Sequence, residues 1–351
     1  LQTAPNDADM LNYLGYLWVD KGLRVQEGAE MIARAHALEP DNGNIQDSLG
    51  WAQFKQGQYD VAVDTLEQAV DKEPASTNER LLRVRELSLR SETGVALLDG
   101  IDLEVRGGEI LAIAGVQGNG QTEFAETLLG LRPQATGSVE LDGRQLLGRR
   151  PKRIIRDGIG FVPEDRGREG LVGSFSIEEN LVLNQYDTPR FSRGPWLRRR
   201  AIRAQAEQRT AEFDIRLHSV ADPVTTLSGG NQQKVVLARE LARPLRLFVA
   251  SQPTRGVDVG SIEFIHRRIV AERDAGTPVV IVSTELDEVY ALADRIAVFH
   301  GGRLMGVVDP DIPREVLGQM MAGADAEEAR RLVEQDTREH DLASITEGER
   351  A

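Results

Sequence analysis

Gly115-Val116-Gln117-Gly118-Asn119-Gly120-Gln121-Thr122 has the spacing of a phosphate-binding loop, G-x-x-x-x-G-K-[ST], with Gln121 where the lysine belongs. The apolar run Ile110 to Ala114 precedes it and reads as a strand; Glu123 to Leu129 follows and reads as a helix. Glycines in such a turn let successive backbone N–H groups point inward around an anion, and the helix N-terminus adds its positive end. Those donors belong to the backbone and survive the substitution. The point charge that would clamp the outer phosphates does not. A glycine-rich loop alone is weak evidence, so the assignment rests on what lies downstream.

With 351 residues, two domains or one large domain with an appendage are expected. The hydrophobic content of 40% and the low aromatic content suit a soluble α/β protein. The absence of cysteine rules out disulfides and thiolate metal sites and favours a reducing compartment. No apolar run reaches the roughly 18 residues of a membrane span, so a membrane role would come through a partner. No signal peptide is visible, and a chain starting at Leu1 is expected to lack its true beginning.

The net charge of −14 is unevenly spread. Residues 1–75 carry 13 acidic against 5 basic side chains, and residues 324–351 carry 9 against 4. The core between them is nearly neutral. No segment has the basic excess of a nucleic-acid binder. Four segments result: helical repeats over 1–75, a polar linker at 76–80, a nucleotide-binding domain over 81–323, and an acidic, helical or disordered tail from 324 to 351, read as solvated.

The first segment repeats itself. Leu14-Gly15-Tyr16 recurs as Leu49-Gly50-Trp51, Lys21-Gly22 as Gln56-Gly57, Ala35 as Ala69, and Glu39-Pro40 as Glu73-Pro74. This pattern resembles the tetratricopeptide repeat, which implies about four antiparallel helices. Small residues let paired helices approach closely and proline ends the second helix. A packing unit is the preferred reading over a peptide-binding groove.

Beyond the linker, Leu82 to Leu89 alternates apolar and polar residues, Leu97 to Val105 suggests another strand, and Val139 to Gly143 reads as a strand and tight turn. These imply a small antiparallel sheet beside the parallel one. Leu227-Ser228-Gly229-Gly230-Asn231-Gln232-Gln233-Lys234 opens a helix with a serine hydroxyl and bare glycine amides at its start, an anion site built to meet a phosphate delivered from outside. A helix-capping Ser-Gly-Gly is the bland alternative. Leu247 to Ser251 is an apolar strand followed by Gln252-Pro253-Thr254-Arg255-Gly256-Val257-Asp258, and Val279 to Ser283 is another strand followed by Thr284-Glu285.

Together with Val162-Pro163-Glu164-Asp165-Arg166, these segments resemble the signature, Walker B strand, D-loop, switch and Q-loop of ABC ATPases. The resemblance covers about residues 80–310. It implies an α/β P-loop NTPase fold with an antiparallel β subdomain and an α-helical subdomain near 165–225. More narrowly, the chain resembles the C-terminal nucleotide-binding domain of the fused ATPase subunits of bacterial sugar and nucleoside importers, the nucleoside branch fitting best. In those subunits a first nucleotide-binding domain precedes this one, where the repeats stand here.

Set against the family pattern, the catalytic positions are degenerate. Gln121 replaces the phosphate lysine, Ser251 the aspartate that supports Mg²⁺, Gln252 the glutamate that polarises water, and Thr284 the switch histidine. Glu164 stands at the Q-loop glutamine, and no aromatic residue between Leu81 and Gly115 offers an adenine stack. Gly115, Gln117, Gly118, Asn119, Gly120, Gln121 and Thr122 remain as nucleotide-binding candidates, with Thr122 as a Mg²⁺ ligand and Asp258 retained in the D-loop. The resemblance therefore implies weak or structural binding of ATP and Mg²⁺ without brisk hydrolysis at this half-site.

ABC domains pair head to tail, so Leu227, Ser228, Gly229, Gly230, Asn231 and Gln232 are expected to complete a partner's ATP site. The implied partners are a second nucleotide-binding domain with an intact P-loop, transmembrane permease subunits and, indirectly, a substrate-binding protein. Phe175 to Leu181 begins the region expected to face the membrane partner, and Arg198-Arg199-Arg200 reads as a solvated helix face. The implied location is peripheral, at the cytoplasmic face of the inner (plasma) membrane. A non-hydrolytic scaffold, and a gene fusion or fragment without a transport role, stay open beside the importer reading.

Overall fold

The computed structural model describes residues 7–40, 43–58, 61 and 72–335. They fall into two compact units, one of residues 1–73 with 256–268 and the other of 74–255 with 269–351. Packing thus groups Gly256–Arg268, which the sequence places in the nucleotide-binding domain, with the N-terminal segment.

In the first unit, α1 (Ala8–Asp20), α2 (Val25–Leu38) and α3 (Gly43–Lys55) follow one another. The Asp7 carboxylate caps α1 by accepting the Met10 N–H, satisfying one of the donors that a helix start leaves open. Leu11, Val19, Ile32, Ala35, Ile45 and Ala52 are buried. Gly15 and Gly28 bring α1 and α2 together: a Cβ at Gly15 would lie 2.6 Å from the Gly28 carbonyl oxygen, and one at Gly28 2.8 Å from that of Gly15. The fourth expected helix falls on 59–71, where only residue 61 is described.

In the second unit, β1 (Asn78–Arg90), β2 (Ala96–Gly107), β4 (Thr136–Leu141) and β5 (Arg144–Gln145) form an antiparallel sheet in the order β2-β1-β4-β5. Asp142 and Gly143, both at positive φ, make the tight turn from β4 to β5, the conformation a two-residue hairpin requires. The second sheet runs β12-β11-β3-β10-β9-β6. It contains β3 (Ile110–Ala114), β6 (Ile159–Val162), β9 (Leu247–Ser251), β10 (Val279–Val282), β11 (Arg295–His300) and β12 (Arg303–Val308). All its pairings are parallel except β11 with β12.

β3 is buried along its whole length because it has packed layers on both faces. Leu111 and Ile113 join one core with β1, β2, β4 and Phe124, and Phe124 meets Phe299 edge-on at 5.6 Å between ring centres. Ala112 and Ala114 join the other core with Val289, Val298, Leu317 and Met320. Each buried Leu, Ile, Val, Phe or Met side chain in these cores contributes about 1.5–3 kcal/mol. The expected helical subdomain is built from a π-turn over Arg166–Gly170, the capped turn Ile177–Asn180, the hairpin of β7 (Ser192–Arg193) and β8 (Trp196–Leu197), and the helix Arg199–Glu212.

The acidic tail begins inside the fold rather than in solvent. Residues 326–335 are helical, Ala329 is fully buried, and Ala324, Ala326 and Val333 pack on the second core. Small apolar residues among the acids give this segment a face to bury, which net charge alone conceals.

Candidate functional site

Parallel pairing puts the carboxyl ends of β3, β10, β9 and β6 side by side, with Val282 opposite both Ile113 and Ser251 and Val162 opposite Ala250. The residues that follow these strands therefore converge where ligands of open α/β sheets bind. Gly115 leads from β3 into the phosphate loop, and a helix over Gln121–Leu128 follows, with Gly120 at its N-cap. Gly118 and Gly120 have φ of 91° and 103°, values that side-chain-bearing residues avoid. Asn119 ties the loop to the β11–β12 turn: its side-chain oxygen accepts the Gly301 N–H at 2.9 Å and its carbonyl accepts the Gly302 N–H at 3.1 Å.

Gln121 does not reach outward. Its side chain is only 4% exposed; Nε2 donates to the Val116 carbonyl at 3.1 Å and Oε1 accepts the Asn119 N–H at 3.1 Å. Thr122 is exposed beside a cavity of about 80 Å³ lined by Ala125, Glu126, Phe161, Glu164, Asp165, Glu169 and Ser251. Four carboxyl groups and no cationic side chain line it. Glu164 pairs with the Arg255 guanidinium and accepts from Gln117 Nε2 at 3.5 Å, while Arg166 donates to the Arg255 carbonyl at 2.7 Å.

Gln252 and Thr284 occupy each other. Gln252 Nε2 donates to Thr284 Oγ1 at 3.1 Å, and the backbone N–H of Gln252, held at φ 48°, donates to the Val282 carbonyl at 2.7 Å. A neutral amide and a hydroxyl provide no base for a water molecule. Lys234 is committed elsewhere, to the carbonyl and carboxylate of Asp214. Asp258, in the first unit, accepts from the N–H and hydroxyl of Ser261, a local helix-start role. Among the described residues, no three acidic or histidine side chains are placed to hold a metal ion.

ATP with Mg²⁺ is the group this fold implies, and the residues present do not fit it as a reactant. Gln121 takes the Asn119 N–H, the cavity beside Thr122 is lined by carboxyl groups, and Gln252 and Thr284 bond to each other.

The turn at residues 227–232 is different. Ser228 is exposed and caps the helix Gly229–Glu240, accepting the Asn231 N–H at 3.4 Å and Asn231 Nδ2 at 2.9 Å. Asn231 Oδ1 accepts the Arg216 N–H, and Gln232 Nε2 donates to the Leu227 carbonyl. Leu227 is buried, anchoring the turn. Two contacts had no place in the sequence reading. Gln233, buried, donates to the Pro253 carbonyl at 2.8 Å, tying the helix Gly229–Glu240 to the β9 exit. Arg239 donates to the Gly170 carbonyl at 2.6 Å, tying it to the π-turn. Their only signal was polarity at positions that the helical pattern buries.

Residues 98–255 match the family model described as ABC transporter. A dimeric ATP-binding cassette in a post-hydrolysis state, bound to ADP and Pi, superposes with a TM-score of 0.57 at 21% identity over 66% of this chain and 100% of that one. The second unit has the ABC ATPase fold. The ABC unit resembles the ATP-binding proteins of sugar and nucleoside importers. The nucleoside import ATP-binding protein NupA of Lactococcus lactis is 39% identical over 74% of this chain and 51% of that protein. The glucose import ATP-binding protein TsgD13 of Haloferax volcanii is 44% identical over 73% and 48%. The guanosine import ATP-binding protein NupO of Bacillus subtilis is 38% identical over 74% and 51%. The chain spans about half the length of these curated relatives.

Proposed function

We propose that the ABC unit is the signature-donating half of an importer ATPase for sugars or nucleosides, with a silent half-site of its own. The observation that carries this reading is the contrast between the two ends of the site. Ser228 is open and its turn is braced by Asn231, Gln232 and buried Leu227, whereas Gln121, Gln252 and Thr284 are bonded to their own surroundings.

In the head-to-tail pair, Ser228 and the Gly229 and Gly230 amides lie against the γ-phosphate held by a partner's intact P-loop. The hydroxyl and the amides at the helix start stabilise charge on that phosphate. Gln233 and Arg239 hold the helix that presents them. Permease subunits and, indirectly, a substrate-binding protein complete the assembly, with this chain at the cytoplasmic face of the membrane. The helical N-terminal segment is a tetratricopeptide-like packing unit, supported by the close Gly15–Gly28 approach.

The test mixes the whole chain with an ABC domain that retains its P-loop lysine and measures steady ATP turnover. Turnover above that of the intact domain alone is expected. No stimulation, with the two chains shown to associate, favours a non-hydrolytic scaffold.

A further inference from the structure

We infer that Gln121 is a built-in occupant of the phosphate cradle and sets the nucleotide affinity of this half-site. The inference rests on the reading of the half-site as silent and gives that silence a cause beyond a missing lysine. Oε1 of the carboxamide accepts the Asn119 N–H at 3.1 Å, a donor of the kind a phosphate oxygen takes, and Nε2 donates to the Val116 carbonyl across the loop. The Asn119 N–H also reaches the Val116 carbonyl at 3.2 Å, a turn bond that stays when the side chain is removed, so Gln121 takes the remaining, inward-facing share of that donor. The loop is shaped around the side chain: a Cβ at Gly115 would lie 2.4 Å from Gln121 Nε2.

A phosphate can enter only when this side chain leaves, giving up both bonds. The same residue, regarded merely as a poor lysine, would instead contribute a weak contact to a bound phosphate. The two accounts predict opposite signs for its removal. Under the first, Gln121→Ala empties the cradle and gives up the share of the Asn119 N–H that the carboxamide takes, which tightens nucleotide binding; under the second, it loosens it.

The experiment titrates the full chain with MgATP and MgADP by calorimetry, comparing wild type, Gln121→Ala and Gln121→Lys. Release of one internal hydrogen bond predicts about five- to tenfold tighter binding by the alanine variant. Alanine binding equal to or weaker than wild type overturns the inference, as does failure of all three chains to bind, since Gln121 would then not limit the cradle. A second measurement is amide hydrogen exchange at Asn119, which should quicken in Gln121→Ala while the strand amides of Ile110 to Ala114 keep their protection; unchanged exchange at Asn119 counts against the plug. Neither result touches the Ser228 hydroxyl, so the trans role of the signature stands or falls separately, on turnover of the assembled pair.

Discussion

Gln252 has no carboxylate to offer a water molecule, and its amide is already bonded to Thr284 at 3.1 Å. Restoring a lysine at Gln121 adds a charge-assisted contact worth about 1.5–3 kcal/mol to nucleotide binding. It does nothing for the missing base. Gln121→Lys is therefore expected to raise affinity by one to two orders of magnitude while single-chain turnover stays at background, a split that calorimetry and a phosphate-release assay separate. Wild-type turnover that is steady and abolished by Thr122→Ala would contradict the silent half-site. The motifs around Gln121, Gln252 and Thr284 single these residues out in the sequence. What those residues do instead was not legible there. An amide folded back on Val116, or paired with a hydroxyl 32 residues away, leaves no periodicity or spacing to read. Arg255 stands in the sequence as one residue of a motif, with nothing to show that it pairs with Glu164, 91 residues away.

At the scale of elements, the strand and helix assignments were legible where hydrophobic runs were long. Ile110 to Ala114, Leu247 to Ser251 and Val279 to Val282 are continuous apolar stretches and form the central strands. The region around 165–225 was less legible because, apart from the helix Arg199–Glu212, its pieces are short and held by caps rather than by an apolar stripe. Ser176 and Glu179 form one such cap, each accepting the other's backbone N–H. That N–H, and then Arg199, hold the Glu179 carboxyl below its ordinary value of 4.5. A depressed carboxylate contributes stability that is complete above the unfolded value and is lost as the pH falls through the folded one. Glu179→Gln should thus destabilise the ABC unit at neutral pH, with the gap to wild type closing well below pH 4.5, as followed by urea unfolding at both acidities. In the helical unit, Gly15→Ala pushes a methyl against the Gly28 carbonyl oxygen, 2.6 Å away. Overpacking of this kind costs about 1–3 kcal/mol, and thermal unfolding followed by circular dichroism should show a lowered helical transition.

For the whole molecule, chain order and packing disagree in one place. The charge step near residue 75 marked the end of the N-terminal segment, but residues 256–268 group with that segment despite lying between two strands of the ABC unit. Sequence periodicity cannot reveal such a grouping, because it depends on which surfaces meet. The acidic tail carries the same lesson, since Ala329 buries what the charges around it would leave in solvent. The proposed function belongs to this scale, since it rests on a surface that a partner would complete. The central claim, a signature that activates a partner's nucleotide from a silent half, is tested most directly by ATP turnover of the chain assembled with an intact-P-loop domain and permease subunits. The comparison is wild type against Ser228→Ala and Gly229→Asp. Loss of one transition-state donor costs ~10²–10³ in rate at the upper end, so Ser228→Ala should lower turnover clearly. Gly229→Asp, which sets a carboxylate against the γ-phosphate, should lower it further, with the chain's own unfolding midpoint nearly unchanged. Undiminished turnover by both variants in a demonstrably assembled complex would contradict the claim.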